Sequence, residues 1–378
     1  VPSLWAYVLV GAVAAAVTFI LIPVVRRFAV PLGAVVEPDE RHVHTRATPT
    51  AGGAAMVVGV GVAVVVAAIH PDFSNVMAAR TEVLGVLLAA GVMWSVGFVD
   101  DLREISPPAK VAGMVLAGSI MALTGVSILV FRVPFFEILV LSPDWSYLLT
   151  VLWVVGMANA INLVDGLDGL AAGIVAIASA AFFLYAIRLG NEDVLDPSNP
   201  GALWAMITLG VCLGFLPHNV HPARIFMGDG GALLLGIMMA ASTMSVGGRS
   251  SAEFSGQAFF FFAPIFIPLV ILGVPILDTV WAILRRAARG SSMSAPDKKH
   301  LHHRLMNLGH GHRRAVFILW LWTALLSAFV LYPTYTGDGD ALVPIGIAAL
   351  LLALFTLLHP RLRLLMEDVD EAALDALD

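Results

Sequence analysis

The chain has 378 residues, of which 59% are hydrophobic and 13% charged, with a mean hydropathy of +0.90. Soluble domains carry roughly 45–50% apolar and about 25% charged residues, so a soluble protein is excluded and an all-α polytopic membrane protein is expected. The net charge of −6 comes from the C-terminal end, because Glu367 to Asp378 holds six acids and no base while the rest of the chain balances.

Apolar stretches long enough to cross about 30 Å of hydrocarbon predict roughly eleven transmembrane helices. They lie near 4–25, 51–69, 83–99, 111–131, 146–163, 170–188, 201–217, 231–247, 257–284, 315–332 and 341–358. The first has no small-residue cleavage site and reads as a retained helix. The ninth, with Pro264, Pro268 and Pro275, is expected to be kinked. Seventeen of the 21 Lys and Arg residues fall in alternate loops beginning after the first span. Arg80, Arg132, Arg188 and Arg249 fall on the other side. The positive-inside rule makes the richer side cytoplasmic, with the N-terminus outside and the C-terminus inside. The organisation expected is one membrane domain over 1–360 and an acidic cytoplasmic tail over 361–378. Cys212 is the single cysteine, so no disulfide framework exists.

Polar groups able to do chemistry recur at span ends on the cytoplasmic side. Arg41, His44 and Arg46 precede Pro49-Thr50-Ala51-Gly52-Gly53 at the second span. Asp100-Asp101 closes the third, where two adjacent carboxylates repel and lose solvation, a cost of roughly 2.5–3.5 kcal/mol for an Asp at a helix centre and less at the interface. The pair is either a solvated helix end, a general base or a site for a metal–phosphate complex. Asn159, Asn162, Asp165 and Asp168 follow at three-residue steps, which form a spiral on a helix. Gly166 and Gly169 weaken that helix, so the backbone is expected to turn back and aim all four side chains at one point. Capping explains one such residue and not four.

Asn219 leads into Gly228-Asp229-Gly230-Gly231, where Asp229 suits a helix N-cap and a metal ligand equally. Arg224 between them reads as a phosphate contact or a membrane-edge anchor. Asp297-Lys298-Lys299-His300-Leu301-His302-His303-Arg304 lies in the largest cytoplasmic loop. No fourth zinc ligand stands out there, and imidazoles among Lys and Arg suit pyrophosphate better. His310 and His312 read as polar loop residues. One chemistry uses all these groups: phosphoryl transfer, which is positioning plus neutralisation of phosphate charge. Mg²⁺ takes few protein oxygens and completes its shell with phosphate and water, and Asn162 and Asp229 supply such oxygens.

Asp100-Asp101, NAINLVDGLDGL at 159–170, FMGDGGALLLG at 226–236 and DKKHLHHRL at 297–305 together resemble the bacterial polyprenyl-phosphate N-acetylhexosamine-1-phosphate transferase family. The resemblance covers nearly the whole chain. It implies a Mg²⁺-dependent transfer, with Mn²⁺ as a substitute, in which UDP-sugar and polyprenyl phosphate give polyprenyl-diphosphate-sugar and UMP. This is the first membrane step of cell-envelope polysaccharide synthesis, at the cytoplasmic face of the bacterial inner membrane. It also implies a lipid bilayer and the two substrates as partners, no nucleic acid, and a homodimer.

By motif, the resemblance makes Asp229 the principal Mg²⁺ ligand, with Asn162 or the Asp100-Asp101 pair completing its surroundings. Asp100 stands where the family has a base toward the lipid phosphate, and Lys110 where it holds that phosphate. Asp165 and Asp168 line the nucleotide pocket, Asn219 lies near the metal, and His300, His302 and His303 bind the diphosphate. Asn159, Arg224, Arg304 and Arg46 complete the substrate contacts. A phosphate monoester has a second pKa near 6, so Asp100 is expected to orient the nucleophile more than deprotonate it, in a direct attack. The HLHHRL sequence resembles the UDP-GlcNAc-using branch. The UDP-MurNAc-pentapeptide branch has three consecutive histidines, then an aromatic and an acid. Ala232 stands where the family usually has Ser, so no role for that hydroxyl transfers.

Three other readings compete. The same reaction with UDP-MurNAc-pentapeptide is the nearest. An aspartate-rich membrane prenyltransferase would use Asp100-Asp101-x-x-Glu104 and Asp165-x-x-Asp168, but would need neither the glycine-rich nor the histidine-rich element. An ion-coupled transporter would place its ionisable groups near mid-bilayer rather than at one edge.

Overall fold

The computed structural model describes residues 1–36, 47–132, 138–247, 308–336 and 343–356, with scattered positions between 272 and 306 and residue 358. The described chain is helical apart from two short antiparallel pairings, Val35–Val36 with Thr48–Pro49 and Val130–Arg132 with Ile138–Val140. The helices are α1 (Leu4–Ala29), α2 (Gly52–Ile69), α3 (Ser74–Ala78), α4 (Arg80–Leu102), α5 (Pro107–Leu123) and α6 (Pro143–Val164). They continue with α7 (Leu170–Asn191), α8 (Gly201–Asn219), α9 (Gly228–Gly247), α10 (His312–Thr336) and the shorter α11 (Val343–Thr356). Eight of these are long and apolar enough to cross a membrane. The predicted span at 257–284 and the acidic tail lie largely outside the described residues.

Local sequence sets the ends. Ser3 caps α1, its Oγ accepting from Ala6 N–H at 3.2 Å. Pro107 and Pro143 sit in the first turns of α5 and α6, where a missing N–H costs nothing. The predicted span 111–131 overshoots its helix. α5 stops at Leu123, and Gly125 follows at φ +95°, a left-handed turn that ends helices. The β-branched run after it feeds the small hairpin instead.

α9 is the axis of the bundle. Every residue from Gly230 to Gly247 is buried, and α2, α4, α6, α7 and α8 pack around it. α1 lies on α8 and α2, while α5 bridges α4 and α6, and α10 packs on α7. The periphery is apolar: Trp5, Ile20, Val65, Leu84 and Leu152 are each more than half exposed, the inside-out pattern of helices facing lipid. The chain is a multi-pass membrane protein. Because α9 is fully enclosed, the residues at its N-terminus meet the ends of its neighbours, and the polar motifs gather there.

Candidate active site

The C-terminal end of α4, the α6–α7 loop and the N-terminus of α9 enclose a cleft of about 590 Å³, within the roughly 300–1,000 Å³ of small-molecule sites. Among the described residues six carboxylates line it: Asp100, Asp101, Glu104, Asp165, Asp168 and Asp229. Thr50, Asn162, Asn219 and Phe226 also contribute to the wall. A cleft this acidic repels a diphosphate unless cations enter with it.

One cation is built in. Lys110, on the first turn of α5, forms ion pairs with Asp100 Oδ2 at 3.0 Å and with Asp229 Oδ2. With the Asn162 amide turned to match its neighbours, its oxygen accepts from Lys110 Nζ at 3.1 Å and its nitrogen donates to Asp229 Oδ1 at 3.0 Å. Ile105 N–H donates to the other oxygen of Asp100 at 2.8 Å. Asp100, Asp229 and Asn162 thus converge on a single positive charge. They are hard oxygen donors and few in number, a set that fits Mg²⁺ with water and phosphate filling the remaining positions.

The adjacent carboxylate faces elsewhere. Asp101 accepts from Asp229 N–H at 2.8 Å through Oδ1 and from Gly230 N–H at 3.1 Å through Oδ2, with Thr50 Oγ1 donating at 3.5 Å. Two glycines permit this closeness. Gly97 lies against the Asp229 carbonyl, and Gly228, at φ +68°, lies against the Asp101 carboxylate; a Cβ at either position would overlap these atoms. The entry to α2 braces the same spot, since Gly52 N–H and Gly53 N–H donate to the Phe226 and Met227 carbonyls, each at 2.9 Å.

The helix breaks between Val164 and Leu170, where Gly169 takes φ +77°. Asp168, its side chain 1% exposed, accepts from Ala223 N–H at 3.0 Å and pairs with His221 Nδ1 at 2.7 Å. His312 stacks on His221 with ring centroids 4.2 Å apart, its Nε2 4.0 Å from Asp168. The ligand atoms of these three lie within 4.8 Å of one another. Imidazole nitrogens suit borderline metals better than Mg²⁺, so the oxygen set around Lys110 is the one that matches magnesium. Asn219 joins the two loops, accepting from Gly169 N–H at 2.9 Å and donating to the Ile225 carbonyl at 3.0 Å. Burial, with the Asp101 and Asp168 carboxylates nearby, pushes the Asp165 carboxyl up to about 7.

The structure therefore brings Asp100, Asp101, Lys110, Asn162, Asp165, Asp168, Asn219 and Asp229 to one cleft. Asn159 departs from the expected common point. It sits one turn deeper, and its Nδ2 donates to the Val155 carbonyl at 2.8 Å and to Met114 Sδ at 3.3 Å, toward α5. Arg224 is exposed and does not line the cleft. Arg46, His300, His302, His303 and Arg304 lie outside the described residues. His310 is buried, its Nε2 donating to the Thr356 carbonyl of α11 at 2.8 Å, and His312 belongs to the Asp168 cluster rather than to a polar loop. The sequence alone gives no role to Thr50, Phe226 or the His221–His312 stack. The glycine pair after Thr50 and the position of His221 between Asn219 and Asp229 were the available signals.

The glycosyl transferase family 4 model matches residues 83–247, the stretch from α4 to α9 that builds the cleft. A decaprenyl-phosphate N-acetylglucosaminephosphotransferase of Mycolicibacterium smegmatis is 38% identical over 362 residues, covering 94% of this chain and 88% of that protein. The chain belongs to glycosyl transferase family 4. A relative with the same description from Mycobacterium leprae is 39% identical over 326 residues, 84% of this chain and 81% of its own. A phospho-N-acetylmuramoyl-pentapeptide-transferase of Desulforudis audaxviator is 35% identical over 351 residues, 82% of this chain and 93% of its own. In this member of glycosyl transferase family 4, the matched stretch includes every described cleft carboxylate.

Proposed function

We propose that the chain transfers GlcNAc-1-phosphate from UDP-GlcNAc to a polyprenyl phosphate, giving polyprenyl-diphosphate-GlcNAc and UMP. The observation that carries this reading is 38% identity across 94% of the chain to a protein named for that transfer. The acid-lined cleft with one lysine and a magnesium-like donor set supports it. The pentapeptide-transferring relatives stand at 35%, 30% and 26% identity.

In this reading Asp229, Asn162 and Asp100 hold Mg²⁺. Bound there, Mg²⁺ supplies charge neutralisation on the donor diphosphate. Lys110 exchanges its carboxylate partners for oxygens of the lipid phosphate as that substrate enters. An oxygen of this phosphate forms the new bond to the sugar-bearing phosphorus, the diphosphate bridge to UMP breaks, and UMP leaves with the bridging oxygen. Asp100 keeps one oxygen on Ile105 N–H and turns the other, released by Lys110, to the cation, so it orients the nucleophile instead of taking a proton. That suits a phosphate monoester already largely dianionic at neutral pH. The α6–α7 loop, with Asp165 and the Asp168–His221 pair, and Phe226 form the nucleotide side. Arg46, His300, His302, His303 and Arg304 supply further positive charge to the diphosphate.

The enzyme then lies in the bacterial plasma membrane, with roughly eleven spans. The N-terminus lies outside and the cleft faces the cytoplasm, where most Lys and Arg lie. It works as one membrane domain over 1–360 with an acidic tail, assembled as a homodimer. The test is UMP release from purified protein given polyprenyl phosphate, Mg²⁺ and either UDP-GlcNAc or UDP-MurNAc-pentapeptide. Turnover of the first and not the second is expected; the reverse would reassign the sugar.

A further inference from the structure

α9 begins at Gly228, and the first N–H groups of any helix have no partner within it. Side-chain oxygens near a helix start commonly accept from these N–H groups, and an acid in the first turn is close enough to do so. Asp229 does not. Its N–H and that of Gly230 are taken by the two oxygens of Asp101, at 2.8 and 3.1 Å, and Gly231 N–H reaches the Met227 carbonyl at 3.2 Å. The donors of 229, 230 and 231 are thus satisfied with no contribution from the Asp229 carboxylate. That carboxylate turns the other way, to Lys110 and Asn162.

We infer that Asp101 is a positioning residue: it caps α9 from a neighbouring helix and so frees Asp229 to hold the divalent cation. The inference rests on the cation reading proposed above. It divides the Asp100-Asp101 pair by function. Successive residues on a helix point about 100° apart, so Asp100 faces Lys110 while Asp101 faces the α9 backbone. An anion at the positive end of a 20-residue helix is stabilised there, and in return fixes the helix end. Thr50 Oγ1, at 3.5 Å, completes the seat from the α2 side. With Asp101 shortened, the N–H groups of 229 and 230 lose their acceptor, the Asp229 carboxylate of the same turn is drawn to them, and capping competes with cation binding.

The test is a Mn²⁺ titration followed by electron paramagnetic resonance on the full chain in detergent, for wild type, Asp101→Asn, Asp101→Ala and Asp229→Asn, with UMP release measured across the same Mn²⁺ range. Asp101→Ala is expected to weaken Mn²⁺ binding about tenfold or more, and Asp101→Asn, which keeps one acceptor, by about two- to fivefold. Turnover of both should recover substantially at saturating Mn²⁺, which the loss of a group touching the reacting atoms would not allow. If Asp101→Asn binds Mn²⁺ like wild type while its turnover stays low at every concentration, Asp101 acts on substrate and the inference is wrong. Asp101→Asn decides the matter alone if the alanine variant does not fold. Asp229→Asn separates the two levels. Wild-type Mn²⁺ binding in that variant removes the cation reading itself, whereas lost binding there with unchanged binding in both Asp101 variants removes only the positioning role.

Discussion

The ammonium of Lys110 lies between Asp100, Asp229 and the Asn162 amide, and removing it leaves two facing carboxylates without compensation. Lys110→Gln is expected to lower UMP release about 100-fold or more, the scale seen when one preorganised charge-stabilising donor is lost. Mn²⁺ binding should be retained or tightened, because the competing cation is gone. Activity within a few-fold of wild type would show that Lys110 only balances charge. Asp165 gives a pH prediction. Pushed up to about 7 by burial and by Asp101 and Asp168, it is protonated below that value and ionised above it. In the free protein this group costs stability as pH rises from the usual carboxylate range to about 7, because the folded state holds a proton that the unfolded chain has lost. A cation bound in the same cleft favours the ionised form. Cation binding near neutrality should therefore release protons, and affinity should fall as pH is lowered. Calorimetry at pH 7 in two buffers of different ionisation enthalpy reads the released proton; equal heats in both would contradict the linkage.

Elements matter here through their ends. Asn219 holds the α6–α7 loop to the α8–α9 loop with two hydrogen bonds. Asn219→Ala strands a buried donor and a buried acceptor, each costing about 1–3 kcal/mol. Thermal unfolding in detergent should report the loss, together with a raised KM for the sugar nucleotide; an unchanged KM would confine Asn219 to stability. Gly97→Val drives a side chain into the Asp229 carbonyl where α4 crosses α9, an overpacking of roughly 1–3 kcal/mol. It should weaken Mn²⁺ binding as well as stability. The apolar pattern made most of these elements legible in the sequence, with ends close to those observed. The apolar pattern overruns the end of α5 because Val126 to Phe131 is as apolar as a helix and only Gly125 marks the stop. The Asp101–Asp229 contact was invisible for a different reason. Its partners are 128 residues apart, and nothing local distinguishes Asp101, which caps, from Asp100, which faces the substrates. The regular spacing of Asn159 with Asn162 and Asp165 does not bring it to their common point, because three-residue steps turn around the helix and one turn down it faces Met114.

For the whole molecule, the charge asymmetry gives the proposed topology its test. The cleft opens at the end of the bundle that carries Arg103, Lys110 and Arg313, and Arg80 and Arg188 lie at the other end. The sole native cysteine, Cys212, is buried, so single cysteines report orientation cleanly. Glu104→Cys should react with an impermeant thiol reagent in inside-out vesicles and Asp193→Cys in right-side-out vesicles; the opposite pattern would invert the protein. That polar motifs scattered along the chain share one end was readable from loop charge. How they divide the work was not, because it depends on which helix end faces which. The central assignment is Asp229 as the cation-holding carboxylate of a GlcNAc-1-phosphate transferase. Its most direct measurement is UMP release from UDP-GlcNAc by wild type and Asp229→Asn. Wild type should need both polyprenyl phosphate and Mg²⁺, and the variant should lose about 100-fold or more; full activity in Asp229→Asn, or no UMP from wild type, would contradict it.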